Sequence, residues 1–279
     1  VNARAKRYLI VTGDDFGLCD DANAATLDAV RRGVVRSVEI MPLAPAFAQG
    51  ASALRSAPDI DVGVHLMLTS EFPGNPWRPL LSREEVPSLY DERGYCPEDV
   101  AGVRARARVP EVLAELDAQI EAVKAAGLRP THATQHMFAL DELSPGGEEA
   151  VHVLGTLAAR HQLALRVANK NAAAVLAARG IPVVTHVPTD THDVSNEDRP
   201  RRYHQIIAEA EPGITELLLH CAYDTAALRA FTTFGPRRQQ DHDLAVGSGL
   251  RNAITASGVD LVSWGDVSDL ARAASRTAP

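Results

Sequence analysis

Apolar runs of strand length recur along the chain, and most are followed by a segment whose apolar residues fall at helical spacing. The strand-like runs cover residues 8–11, 37–41, 62–68, 131–135, 163–168, 181–187, 215–221 and 260–264. Helix-like segments cover 23–32, 46–55, 110–126, 148–160, 172–179, 202–209 and 244–256. The clearest is 110–126, where Val112, Leu113, Leu116, Ile120 and Val123 make one apolar face and Gly127 stands where a C-terminal cap is wanted. Alternating strands and helices predict an α/β fold, a parallel sheet with helical crossovers. Seven or eight such units favour a closed or nearly closed barrel over an open sheet. An open dinucleotide-binding sheet wants GxGxxG after its first strand, and Gly13-Asp14-Asp15-Phe16-Gly17 is not that motif.

Residues 72–110 break the pattern: they are rich in proline, contain Gly74, Gly94 and Gly102, and are too long for an ordinary connection. Residues 189–200 are polar and charged. Long loops in barrels hang over the face at the C-terminal strand ends, where ligands bind. One domain over residues 1–279 with an insertion at 72–110 is the economical reading. With 46% apolar and 23% charged residues the chain has the composition of a globular protein able to bury a core. Its net charge of −8 and the lack of a Lys/Arg stripe argue against nucleic acid. The basic stretches 104–108 and 199–202 read as solvated surface. Cys19, Cys96 and Cys221 are scattered and odd in number, which predicts no disulfide framework and a reducing compartment. No signal-like run follows residues 1–6 and no stretch has membrane-spanning length, so a cytoplasmic protein without a membrane span is expected.

Residues able to do chemistry gather at the expected C-terminal strand ends. Asp14 and Asp15 follow the first strand, His65 ends the third, His132 and His136 flank the fourth, and Arg166 and His220 end two later ones. In a barrel these ends converge on one mouth. Singly, each has a plainer explanation: a solvated turn for the aspartates, a hydrogen-bonded core position for His65, a loop for His132 and His136. Jointly they supply imidazoles and a carboxylate suited to a divalent metal with open positions, and a compensating cation is what two adjacent buried carboxylates need. The set is short of carboxylates for a two-metal phosphoesterase clamp. Cys19 and Cys221 lack a nameable orienting partner, so neither reads as a nucleophile.

Ile10-Val11-Thr12-Gly13-Asp14-Asp15-Phe16-Gly17-Leu18 resembles the opening motif of the YdjC-like carbohydrate deacetylases, a family that includes diacetylchitobiose deacetylases and a hopanoid-biosynthesis branch. Gly33-Val34-Val35-Arg36-Ser37, Pro45-Ala46-Phe47, Val62-Gly63-Val64-His65-Leu66-Met67-Leu68-Thr69, Pro130-Thr131-His132, Gly213-Ile214-Thr215-Glu216-Leu217 and the 259–264 ending are similar in the same collinear order. The resemblance implies a distorted barrel of about seven parallel strands and metal-dependent hydrolysis of the N-acetyl amide of an amino sugar or glycoconjugate, releasing acetate. It places one divalent ion, zinc or magnesium with cobalt or manganese also compatible, on Asp15, His65 and His136. It makes Asp14 the general base, Arg166 the residue that fixes that base, and His220 the acid for the leaving amine.

The family pattern HxDsHxH is broken here by Thr134 and Phe138, and Cys221 replaces the proline after His220. Thr134, Phe138 and His132 are the expected substrate-contacting positions. An apolar ring at Phe138 favours a small, neutral N-acetylated carbohydrate held under the 72–110 segment. A homodimer is compatible with the sequence. The same departures support a second reading, a catalytically impaired sugar-binding or regulatory protein on the same barrel.

Overall fold

A computed structural model of the chain describes residues 6–144, 146–184 and 186–277. The leader reading of residues 1–6 therefore lies, apart from Lys6, outside the described residues. The strands are β1 (Arg7–Phe16), β2 (Ser37–Ile40), β3 (Asp61–Leu66), β4 (His132–Gln135), β5 (Ala164–Leu165), β6 (Gly213–Leu219) and β7 (Asp260–Val262). Every ladder is parallel and the order is β5-β4-β3-β2-β1-β6. Single parallel bridges, Leu165 to Val183 and His186 to Thr215, carry the ring from β5 round to β6. The distortion lies on one edge of β1, where β7 pairs with Tyr8, Leu9 and Ile10 while β2 pairs further along, from Thr12 to Phe16.

Strand alternation sorts the side chains into two shells. Val38 and Ile40 of β2, Val62, Val64 and Leu66 of β3, and Ala133 of β4 face outward into the main core. The helix Val109–Ala125 covers them with Val112, Leu116, Ile120 and Val123, the face expected from its spacing. Leu9, Val11, Leu217 and Leu219 form a second core with Tyr203, Ile207, Leu250 and Ile254. The residues between these positions, Glu39, Gly63, His65, His132 and Thr134, share the opposite, inner face. Toward the N-terminal strand ends Ile10, Ala164, Val184 and Trp264 form an apolar cluster, so the polar groups occupy a layer nearer the mouth.

Several boundaries differ from the sequence expectation. The 163–168 run forms a ladder only over Ala164–Leu165, and the 181–187 run makes bridges at Val183 and His186 alone. Pro182 has no N–H to donate, which limits a ladder there. The expected 244–256 helix is in the main Ser248–Ser257; Gly247 parts it from a separate helix, Gly235–Val246, that the spacing does not predict. The 72–110 segment is not structureless: it contains a single 3₁₀ turn at Pro87–Leu89 and the helix Val100–Arg106. Phe72, Trp77 and Cys96 from it pack with Leu18, Met67 and Leu228, and Glu115 accepts the backbone N–H groups of Leu80 and Leu81.

Candidate active site

The two aspartates reach the mouth because β1 ends irregularly. Regular alternation would send Asp14 and Asp15 to opposite faces. The register shifts between Gly13 and Phe16, and Asp15 adopts φ of 61°, a left-handed conformation that aspartate tolerates better than most residues. The wider sequence expectation put both aspartates after the strand; they lie within its last turnings. His136 directly follows β4, and left-handed Met137 (φ 54°) and Phe138 (φ 52°) turn the chain beyond it.

Asp15 Oδ1, His65 Nε2 and His136 Nδ1 form a nearly equilateral triangle. The Asp15–His65 side is 3.5 Å, Asp15–His136 is 3.4 Å, and the two imidazole nitrogens are 3.3 Å apart. Ligand atoms about 2.0–2.2 Å from a tetrahedral centre stand roughly 3.3–3.6 Å apart. Asp15 Oδ1 is buried with no hydrogen-bond partner, while Oδ2 accepts from Arg238 Nη2 at 2.6 Å. Burial alone raises the Asp15 pKa, yet Arg238 and both imidazoles bring it well below the usual carboxylate value, so the orphaned oxygen is anionic. Glu71 Oε1 lies 2.8 Å from His136 Nε2; when Nε2 donates to it, the Nδ1 lone pair faces the triangle. Burial opposes charge on His136, but Glu71 and Asp15 outweigh it and lift its pKa to about 10. A binding cation competes with that proton, so affinity falls toward acid. These residues fit a single divalent ion.

Behind the triangle lies a buried ionic layer. Arg166, fully buried, grips Asp14 with Nη1 to Oδ2 at 2.7 Å and Nη2 to Oδ1 at 2.9 Å. Its other edge donates to Glu216, from Nε at 2.8 Å and from Nη2 at 2.6 Å. Burial pushes the Asp14 pKa up, and Arg166 with His65 brings it below the ordinary value. Replacing Arg166 with methionine leaves two buried carboxylates without their cation, and a loss of roughly 3–5 kcal/mol is expected in denaturant melts. Burial holds the Glu216 pKa raised even beside Arg166. Without the guanidinium it rises further, so the variant's stability is retained in acid and lost as pH climbs through the raised value. A deficit equal at pH 5 and pH 8 would contradict this account.

A pocket of about 670 Å³ opens onto the triangle. Asp14, Asp15, His65, His136 and His220 line it together with apolar Phe72, Phe138, Phe231 and Phe234. His220 donates its backbone N–H to Asp241 at 2.9 Å. Burial lowers the His220 imidazole below its ordinary pKa, while Asp15 and Asp14 pull it back up. Phe138 lines the pocket, whereas His132 and Thr134, expected beside it, are fully buried in the inner layer and do not line the pocket. His132 Nε2 pairs with Glu39 Oε1 at 2.7 Å and its ring stacks on Trp264, 4.7 Å between centroids. Burial lowers the His132 pKa and Glu39 more than reverses it. Sequence reading also missed Arg238, Glu71, Glu39 and Glu216. Lone glutamates inside the apolar runs 37–41 and 215–221 were the available signal, because a buried carboxylate needs a partner.

A parallel α/β barrel with a buried Asp-His-His cluster at its C-terminal strand ends defines the class. The sequence matches the YdjC-like protein family across residues 8–256, and the chain belongs to that family. It is 34% identical over 168 residues to a carbohydrate deacetylase of Enterococcus faecalis, a match spanning 60% of this chain and 61% of that relative. It is 29% identical over 265 residues to the carbohydrate deacetylase of Geobacillus stearothermophilus, spanning 92% and 97%. A crystal structure from Enterococcus faecalis V583, provisionally described as a cellobiose-phosphate cleavage protein, superposes with a TM-score of 0.81 at 26% identity, covering 94% of this chain and 99% of that one. Among the described residues no helix is long and apolar enough to cross a membrane.

Proposed function

We propose that this chain hydrolyses the N-acetyl amide of a small carbohydrate or glycoconjugate, releasing acetate, with one divalent ion held by Asp15, His65 and His136. The observation that carries the reading is the anionic, orphaned Asp15 Oδ1 set against two imidazole nitrogens at ligand spacing. When bound, the ion supplies Lewis acidity that polarises the amide carbonyl and brings water within reach of deprotonation near neutral pH. Asp14, kept ionised and oriented by Arg166, accepts the proton of the attacking water. His220, on the same pocket wall and facing both aspartates, delivers a proton to the amide nitrogen as the C–N bond breaks. Two nitrogens and one carboxylate favour zinc, with cobalt or manganese next, over magnesium, which prefers all-oxygen shells.

The aromatic walls suit sugar faces and apolar aglycones. The test is acetate release from short N-acetylglucosamine oligomers and from polymeric chitin, before and after chelation. Turnover of oligomers faster than polymer, lost on chelation and restored by zinc, is expected. Sugar binding without acetate release under any metal would leave the non-catalytic reading in its place.

A further inference from the structure

Three neighbouring strands place a carboxylate behind His65 through an indirect route. Cross-strand register aligns Glu39 of β2 with Gly63 of β3, and Gly63 with His132 of β4. Gly63 has no side chain in this row, and a Cβ there would collide with His132 Nε2 and Glu39 Oε2. The gap lets Glu39 cross β3. In the next row His65 aligns with Thr134, and the Thr134 hydroxyl stands 2.7 Å from His65 Nδ1 and 3.1 Å from Glu39 Oε2.

Glu39 is fully buried, with Oε1 against His132 and Oε2 accepting from the Thr134 hydroxyl. Thr134 has one hydroxyl proton and donates it to Glu39. Its oxygen is left to accept, which requires the proton of His65 to sit on Nδ1. His65 Nε2, the atom in the Asp15–His136 triangle, is then the lone-pair nitrogen.

We propose that Thr134 and Glu39 are positioning residues that set the tautomer and ring orientation of His65 for metal binding, the carboxylate acting through the threonine hydroxyl. The proposal rests on the reading of Asp15, His65 and His136 as ligands. Partners behind a ligating histidine commonly change metal affinity about 10–100-fold, by orienting the ring and raising its basicity. Glu39 also joins His65 to the His132–Trp264 stack, so the ligand is anchored to the barrel's inner layer and not to a loop.

The experiment titrates metal-stripped protein with zinc against a competing chromophoric chelator, comparing wild type with Thr134→Val, Thr134→Ser and His65→Ala. Thr134→Val, which keeps shape but removes the hydroxyl, should bind zinc about 10–100-fold more weakly, and Thr134→Ser should recover most of that loss. Wild-type affinity in Thr134→Val, with His65→Ala unable to bind, overturns the relay while the ligand reading stands. Wild-type affinity in His65→Ala overturns the ligand reading itself. A second readout needs no folded Thr134 variant: long-range ¹H–¹⁵N correlation spectra of the metal-stripped wild type, at a pH where the His65 ring is neutral, should place its proton on Nδ1. A proton on Nε2 there overturns the relay.

Discussion

His65→Ala is expected to yield a folded barrel that no longer holds stoichiometric metal and no longer releases acetate. His65 is nearly fully buried, and its Nε2 supplies one corner of the triangle with Asp15 and His136. Two protein ligands cannot match three in affinity, and a mononuclear hydrolytic site keeps three so that the remaining position is open for substrate or water. The outward neighbours Val64 and Leu66, which carry packing on β3, are untouched by the change. Truncation does leave Thr134 without its ring partner at the inner face, so a modest loss of stability accompanies the loss of metal. The check is elemental analysis after dialysis of protein purified without chelator, beside a thermal melt. Full metal content in the folded variant would show that the ion, or the site, lies elsewhere.

Strand geometry made the gathering of Asp14, Asp15, His65, His132, His136, Arg166 and His220 legible, and the family resemblance picked Asp15, His65 and His136 out of that set. Asp15, His65 and His136 each stand at the C-terminal end of an apolar run, and a parallel barrel brings such ends together whatever their separation in the chain. What stayed hidden is of a different kind. Arg238 sits in the charged helix Gly235–Val246, whose polar sequence gives no sign of a buried position; only the fold shows Arg238 buried against Asp15 Oδ2. Glu71 lies in the connection between β3 and the proline-rich 72–110 stretch, where spacing carries no periodic signal, and its partnership with His136 appears only in the fold. Glu39 and Glu216 sit inside short apolar strands, and strand alternation alone does not say whether an odd residue faces a wet surface or a buried cation.

His132 and Thr134 fall within the family's HxDsHxH pattern, which is what suggests a place at the substrate. Their alternation on β4 sends both side chains into the barrel interior, below the ligand shell. Phe138 escapes this because the chain leaves the strand at His136 and turns with left-handed Met137 and Phe138 onto the pocket wall. The short helices Val100–Arg106 and Ala226–Phe231 were missed for want of length: seven and six residues hold too few turns to display a 3.6-residue period.

Asp14→Asn separates the two adjacent aspartates by function. Both are buried and both face a guanidinium, but they are gripped differently. Asp15 gives one oxygen to Arg238 and leaves the other without a donor, the arrangement of a ligand. Asp14 receives a donor on each oxygen from Arg166 and contributes no atom to the triangle, so each oxygen keeps a lone pair for one further proton while its orientation is fixed. An asparagine at 14 keeps the shape, but its NH₂ group faces an Arg166 donor and its remaining oxygen is too weakly basic to take a proton from water. Metal content should therefore be unchanged, while kcat falls on the order of 10²–10⁴, the usual cost of losing a general base. Some stability is lost as well, because Arg166 keeps Glu216 but loses its second buried anion. The measurement is steady-state acetate release by metal-loaded wild type and variant at matched zinc occupancy, with a melt to confirm that both are folded at the assay temperature. Near-normal kcat at full occupancy would remove Asp14 from the base role. Loss of metal together with rate would move it into the ligand set beside Asp15.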